Sequence, residues 1–197
     1  QYRDSLLSCQ LERRKIMKKI KVIDNLLPEI YFNKLTQLFD QGHDRTRSSL
    51  NWFWNGNSVP GDNNFLFTHV LWDTDLGSVS TYFDMFEPIL YYIDKYSPVE
   101  KIKRMKLNLY TNQNKKIIHG KHMDFTEGEY KPVPNITICL LNFTSCNGGT
   151  LIDKKDHPSK ANQGIIFNND LFHQGYVQTD TPRRIVLNIA TTKKHEL

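Results

Sequence analysis

The sequence predicts a mainly β fold, a sandwich or barrel of short strands with helices stacked against its outside. Three observations carry this. From residue 101 onward, polar and apolar residues alternate with period two in successive short runs. Clusters of Gly, Pro, Asn and Asp interrupt those runs about every ten residues, the punctuation of antiparallel strands rather than of helices. Helical spacing, by contrast, is confined to the first hundred residues. At 197 residues the chain has the length of one domain with a real core.

In chain order, residues 1–16 are charged and precede Met17, and we expect them to be a leader or an appended segment. The single domain is expected over 17–197, with helical support over about 25–100 and a core region over about 101–192. Lys19–Ile23 alternates as a short strand. Pro28 then stands where a helix begins, and Ile30, Leu35, Leu38 and Phe39 recur at helical spacing until Gly42. Residues 42–64 are irregular, with Trp52 and Trp54 between polar turn formers, so a hairpin or lid is expected there. Either indole is a candidate substrate contact, and packing into the core is the equally open alternative. Phe65–Trp72 reads as a strand in which His69 is structural. Val79, Tyr82, Phe83, Phe86, Ile89, Leu90 and Ile93 follow at helical spacing, interrupted by Pro88, so one kinked helix or two in tandem are expected over 78–96.

From Lys101 the period changes to two. Ile102, Arg104, Lys106, Asn108 and Tyr110 share one face, Lys103, Met105, Leu107 and Leu109 the other. The polar face suits a cavity wall, although an amphipathic surface strand alternates in the same way. After a turn at 111–116, Ile117-Ile118-His119 re-enters a strand, and Lys131-Pro132-Val133-Pro134 makes a stiff loop placed to cover a site. Ile136–Leu141 is an apolar run of buried-strand length. Asn147-Gly148-Gly149 reads as a tight turn with positive φ, after which Thr150–Asp153 pairs back. Residues 156–158 read as a loop with His157 on the surface, and Gly164–Phe167 as another buried strand.

The charge balance excludes little. Lys and Arg number 26 against 21 Asp and Glu, a net charge of +5, and the basic residues cluster near the ends, at Arg13–Lys15, Lys18–Lys19 and Lys193–Lys194. That distribution is ordinary solvated surface more than a nucleic-acid stripe. No apolar run approaches the length that spans a bilayer, so no membrane partner is expected. The three cysteines, Cys9, Cys139 and Cys146, are odd in number and lack finger spacing, which points to free thiols in a reducing cytoplasm.

The chemistry concentrates in two places. His122-Met123-Asp124 offers an imidazole and a carboxylate two residues apart, which an extended chain projects to one face. His173, about fifty residues on, supplies a second imidazole. Two histidines and one carboxylate form the facial triad that leaves open positions on a non-haem Fe(II). His-x-Asp alone also arises by chance on surface turns. His119 competes with His122 as ligand, but only His122 has a carboxylate two residues on. The strand that starts at Arg183-Arg184 strengthens the metal reading. Arg184, Val186 and Asn188 fall on a mixed polar face, while Arg183, Ile185, Leu187 and Ile189 fall on a packing face. A planar guanidinium there suits an anionic carboxylate, with Arg184 the first choice and Arg183 the second.

These motifs together resemble the 2-oxoglutarate- and Fe(II)-dependent dioxygenases, in particular their prolyl 4-hydroxylase-like branch with its small phage and marine microbial forms. The resemblance runs over residues 101–190: Arg104–Tyr110, His122-x-Asp124, Asn135–Asn142, Gly148-Gly149-Thr150-Leu151, His173-x-Gly175 and Arg184–Leu187. It implies a double-stranded β-helix core (jelly roll, cupin-like). It implies Fe(II) held by His122, Asp124 and His173, and 2-oxoglutarate held by Arg184 with Tyr110, Asn108 and Asn188. With O2, and ascorbate in support, such an enzyme hydroxylates a C–H bond and releases succinate and CO2. A peptidyl, prolyl-type substrate follows from the branch, with a small molecule as alternative; a phage gene acting in a host cytoplasm is the implied setting. Asn108-x-Tyr110 also resembles the AlkB-like nucleic-acid demethylases, but the adjacent arginines and short interval depart from their pattern. A jelly-roll binding module without catalysis is the remaining alternative.

Overall fold

The structure, a computed structural model, describes residues 20–39 and 50–193. Residues 1–16, Met17, the basic clusters up to and including Lys19, Cys9, residues 42–49 of the irregular segment and Lys194 lie outside the described residues. The strands are β1 (Lys21–Ile23), β2 (Phe53–Asn55), β3 (Leu66–Asp73), β4 (Gly77–Ser78), β5 (Lys101–Thr111), β6 (Thr126–Glu127), β7 (Lys131–Pro132), β8 (Ile136–Asn142), β9 (Gly149–Ile152), β10 (Lys155–Pro158), β11 (Gln163–Asn168), β12 (His173–Tyr176) and β13 (Arg183–Thr192). Among the described residues three helices interrupt the first half: α1 (Glu29–Thr36), α2 (Phe83–Phe86) and α3 (Ile89–Asp94).

A major antiparallel sheet runs in the order β1-β11-β8-β13-β5-β3-β2, with β4 hydrogen-bonded to β3. A minor sheet, β10-β9-β12, faces it, and β6 and β7 form a separate ribbon. Two antiparallel sheets closing on one another make the sandwich that the alternation predicts and the double-stranded β-helix that the resemblance implies. The core accordingly has two compartments, separated by strand parity. On the outer face of the major sheet Met105, Leu107, Cys139, Leu141, Ile185, Leu187 and Ile189 pack against Phe32, Leu35, Phe83, Phe86, Ile89 and Ile93 of the helices. On the inner face Leu140, Ile138, Val186 and Tyr110 meet Ile152 of the minor sheet. Each fully buried aliphatic or aromatic side chain contributes roughly 1.5–3 kcal/mol, so the helical layer anchors the sheet whose other face is left for chemistry.

Several elements depart from the sequence expectation. In α1 the buried residues are Phe32 and Leu35, followed by Phe39, an i, i+3, i+7 stripe. Ile30 stands 88% exposed, outside that stripe. Of the two forms expected over 78–96, two helices in tandem is the one found, though shorter than the expected span: Ser78 is spent in β4, and Pro88 opens α3, where its missing N–H costs no hydrogen bond. Gly148 and Gly149 are not in positive-φ conformations; the left-handed pair is Asp153-Lys154, the two-residue connection between β9 and β10. Gly149 is instead required by crowding, since a Cβ there would lie 2.5 Å from both the Tyr176 hydroxyl and the His157 carbonyl. Thr150 and its neighbours therefore pair with β10 and β12, not back onto β8. Residues 155–158 form edge strand β10 rather than a loop, and His157 is half-buried.

Candidate active site

Three side chains converge where the two sheets meet. His122 and His173 lie directly opposite each other in an isolated antiparallel bridge, exchanging both backbone hydrogen bonds at 3.0 and 2.9 Å. Facing residues in such a pair project to the same side, and the two imidazole centroids are 4.3 Å apart. Asp124 follows two residues after His122, at a bend that leads into β6. Ligand atoms of His122, Asp124 and His173 all lie within 4.8 Å of one another, with His173 Nε2 3.5 Å from Asp124 Oδ2. His119, the competing histidine, is not in that group.

The surroundings orient each group. His122 Nδ1 is 3.0 Å from the Gly120 carbonyl, so it carries the proton and Nε2 keeps its lone pair for an ion. Burial drives the pKa of His173 down to about 4, so its ring is neutral at pH 7, as a metal ligand must be. Burial alone would raise Asp124. The adjacent Arg104 guanidinium, then His173 and His122, and a donated bond from Asn188 Nδ2 (3.2 Å to Oδ2) together hold its carboxyl well below the usual range. Asn169 fixes the chain just after Asp124: its side chain accepts from Phe125 N (3.1 Å) and donates to the carbonyls of Phe125 (2.7 Å) and Val133 (3.2 Å). A donor set of two imidazoles and one carboxylate, with His122 Nδ1 and Asp124 already hydrogen-bonded and His173 Nδ1 without a partner, fits Fe(II).

The triad opens on a cavity of about 250 Å³ whose wall on β5 is the polar face Arg104, Lys106, Asn108 and Tyr110. Arg184, Val186 and Asn188 of β13 continue it, and Thr150 and Gly175 close it from the minor sheet. Arg184 is 1% exposed. Its Nη2 donates to Thr150 Oγ1 at 3.1 Å and its guanidinium lies 5.1 Å from the Tyr110 ring centre, but Nε and Nη1 have no partner. Burial lowers its pKa, and among the described residues no carboxylate is paired with it. A buried guanidinium with two unsatisfied donors is costly unless an anion meets it. Arg183, on the opposite strand face, does not line the cavity.

Four roles were not read from sequence. Arg104 is the ion partner of Asp124. His119 is buried beside Tyr110, with ring centroids 5.2 Å apart, and its Nε2 has no partner. Asn169 gives no periodic signal at all. The loop that borders the cavity does so through Ser58, Val59 and Pro60, held by Asp62, which accepts from Ser58 N (3.0 Å) and Gly120 N (3.2 Å). Gly120 must be glycine here, because a Cβ would sit 2.2 Å from Val59 Cγ2.

Neither Trp52 nor Trp54 lines the cavity. In β2, Phe53 and Asn55 pair with Thr68 and Leu66 on the cavity side, so both tryptophans fall on the other face. Trp52 packs against Phe39 in the outer core and Trp54 is 66% exposed. The stiff loop at 131–134 is the β6–β7 ribbon, and it does not line the cavity either.

No protein-family model matches the sequence, and no curated protein matches it. Solved structures do match, at low identity. The chain is similar to a 2OG-Fe(II) oxygenase family oxidoreductase from Burkholderia pseudomallei, with a TM-score of 0.65, 10% identity, and 90% and 86% of the two chains covered. It is similar to a Pseudomonas putida prolyl-4-hydroxylase, with a TM-score of 0.54, 11% identity, and 90% and 94% covered. It is equally similar in kind to SnoN, a non-haem α-ketoglutarate-dependent epimerase of nogalamycin biosynthesis, with a TM-score of 0.59, 12% identity, and 94% and 84% covered. The fold is therefore the one these oxygenases use, and it carries both hydroxylation and epimerisation.

Proposed function

We propose that this chain is a non-haem Fe(II)- and 2-oxoglutarate-dependent dioxygenase that hydroxylates a C–H bond in a peptidyl, prolyl-type substrate. One observation carries the reading: the two-histidine, one-carboxylate group and a buried arginine with two unpaired donors occupy the same cavity. His122 Nε2, Asp124 and His173 Nε2 would hold the iron. Arg184 would grip the distal carboxylate of 2-oxoglutarate, with Tyr110, Asn108 and Asn188 along its length. The chemistry such a centre supplies is coupled oxidation, one oxygen atom of O2 entering succinate as CO2 leaves, the other entering the substrate C–H bond.

The protein's part is position, charge and shelter. Neutral His119 and His173 add donors and ligands without adding charge. Asn169 and Asn188 hold Asp124 in place, and the narrow cavity limits bulk water around the reacting atoms. The prolyl assignment is supported by the short interval from His173 to Arg184 and by the likeness to the Pseudomonas putida enzyme. The demethylase reading has one observation in its favour, that Asn108 and Tyr110 both face the cavity.

The test is succinate formation from 2-oxoglutarate with Fe(II), O2 and ascorbate, without prime substrate and then with proline-rich peptides or methylated oligonucleotides. We expect slow uncoupled turnover, stimulation by peptide, and a product 16 mass units heavier by one oxygen atom. Stimulation by oligonucleotide alone would move the chain to the demethylase class, and no succinate under any condition would leave only a binding module.

A further inference from the structure

We propose that the prime substrate presents a carboxylate to Lys106, and that this lysine selects for it. The inference rests on the oxygenase reading above and names the substrate class that the same cavity takes. Four charged side chains line the cavity: Arg104, Lys106, Asp124 and Arg184. Arg104 is committed to Asp124. Arg184, with Tyr110 and Thr150, marks the end where the distal carboxylate of the co-substrate belongs. Lys106 alone has neither a hydrogen bond nor an ion pair among the described residues.

A lysine in that position is not neutral filler. Burial, and then the nearby Arg104, lower its pKa to about 8, which still leaves it mostly charged at pH 7. Its strand neighbours on the same face are Arg104 and Asn108, and across the ladder it faces Asn188 of β13 and Val70 of β3. A methionine or leucine would fill the same wall without holding a half-buried ammonium that has no hydrogen-bond partner. Asp124 is the one carboxylate acting on it, and that group is bonded to Arg104, so the ammonium awaits a hydrogen-bond partner of its own.

Position decides which partner. Tyr110 lies opposite Arg184 and Lys106 opposite Asn188, so the two cations are separated by four residues of strand, about 13 Å. Asn188 donates to Asp124, which puts Lys106 at the triad end of the cavity and Arg184 at the other. With the distal carboxylate of the co-substrate assigned to Arg184, Lys106 at the other end of the wall is left for the second occupant. An ammonium is a compact single charge with three donors, and one carboxylate matches it; the planar fork better suited to phosphate is already taken up by Asp124. A cavity of about 250 Å³ suits a co-substrate with one amino-acid-sized group. The carboxylate then comes either from a free prolyl-type amino acid or from an acidic side chain beside the target residue of a peptide.

The experiment uses the full chain loaded with Mn(II) and 2-oxoglutarate under anaerobic conditions, so that binding is read without turnover. Calorimetry compares free L-proline with otherwise identical proline peptides carrying Asp, Asn or Lys next to the proline. Wild type is expected to bind a carboxylate-bearing compound roughly tenfold or more tighter than the Asn peptide, the value of one charge-assisted hydrogen bond. Tightest binding of free proline assigns the α-carboxylate, and tightest binding of the Asp peptide assigns the side chain. Lys106→Met, close in volume, should abolish the preference, and Lys106→Glu should transfer it to the Lys peptide; Lys106→Gln serves if the methionine variant does not fold. Equal binding of Asp and Asn peptides with no binding of free proline, a preference that survives Lys106→Met, or binding of methylated oligonucleotide in place of all four compounds would each overturn the proposal. The oxygenase reading fails on a separate result, the absence of succinate under air in every mixture.

Discussion

Replacing Arg184 by methionine should separate two effects that have opposite signs. With 2-oxoglutarate bound, the variant leaves a carboxylate buried without its counter-charge. Removing one partner of a buried, hydrogen-bonded pair costs about 3–5 kcal/mol, so affinity for 2-oxoglutarate should fall by roughly 150- to 5,000-fold. Without ligand, the same change removes a 1% exposed guanidinium whose Nε and Nη1 are unpaired, at the loss of one 3.1 Å bond to Thr150. Each unsatisfied buried donor costs about 1–3 kcal/mol, so the ligand-free variant should be no less stable than wild type and gain a few degrees in Tm, about 2–4 °C per kcal/mol at this chain length. The assays are calorimetric titration of the Mn(II)-loaded protein with 2-oxoglutarate and a thermal scan of the metal-free protein. A Kd change below threefold would refute the reasoning, as would Arg183→Ala having the larger effect, since Arg183 lies off the cavity.

Other outcomes follow from the same geometry. His173→Ala should lose bound metal at equilibrium with micromolar Fe(II), read by metal content after desalting, and should abolish succinate formation; retention of stoichiometric iron would remove His173 from the ligand set. His119→Phe keeps the ring that packs on Tyr110 but removes the unpartnered Nε2, and should raise the KM for 2-oxoglutarate about tenfold with kcat nearly unchanged; an unchanged KM would show that this nitrogen meets no ligand. The pKa of His173 falls from 6.5 to about 4 on folding, and His119 shifts the same way, so the unfolded chain binds more protons between those values. Stability of the metal-free protein should be full above pH 6.5 and decline as pH falls toward about 4, by about 3 kcal/mol for His173 alone. Urea midpoints flat across that window would contradict it. Asn169→Ala should release the backbone after Asp124, lowering metal affinity while sparing the outer core, as judged by far-UV dichroism against Fe(II) titration.

Much of the site was legible because strand parity is a local property. Alternation over 101–110 already separated Arg104, Lys106, Asn108 and Tyr110 from Met105 and Leu107, and the structure turns the first set to the cavity and the latter two to the helices. The same parity distinguished Arg184 from Arg183. It failed at β2, where Trp52 and Trp54 drew attention by size although their phase, fixed by Phe53↔Thr68, points them away from the cavity. It also failed at Gly148-Gly149, because a glycine required by the closeness of Tyr176 looks in sequence like a glycine required by positive φ.

What the amino-acid order determined by itself was therefore local: the two-faced strands, the donor types at 122, 124 and 173, and which of the two adjacent arginines at 183 and 184 aligns with the inner face. What only the closed sandwich decided was proximity. The His122–His173 bridge brings together imidazoles fifty-one positions apart, Asp124 acquires Arg104, Asn188 and the Asn169 clamp, and Lys106 is left with a charge and no partner. The physical reason is that periodicity reports which way a side chain points, whereas burial, pairing and unsatisfied donors depend on which distant strand arrives opposite it.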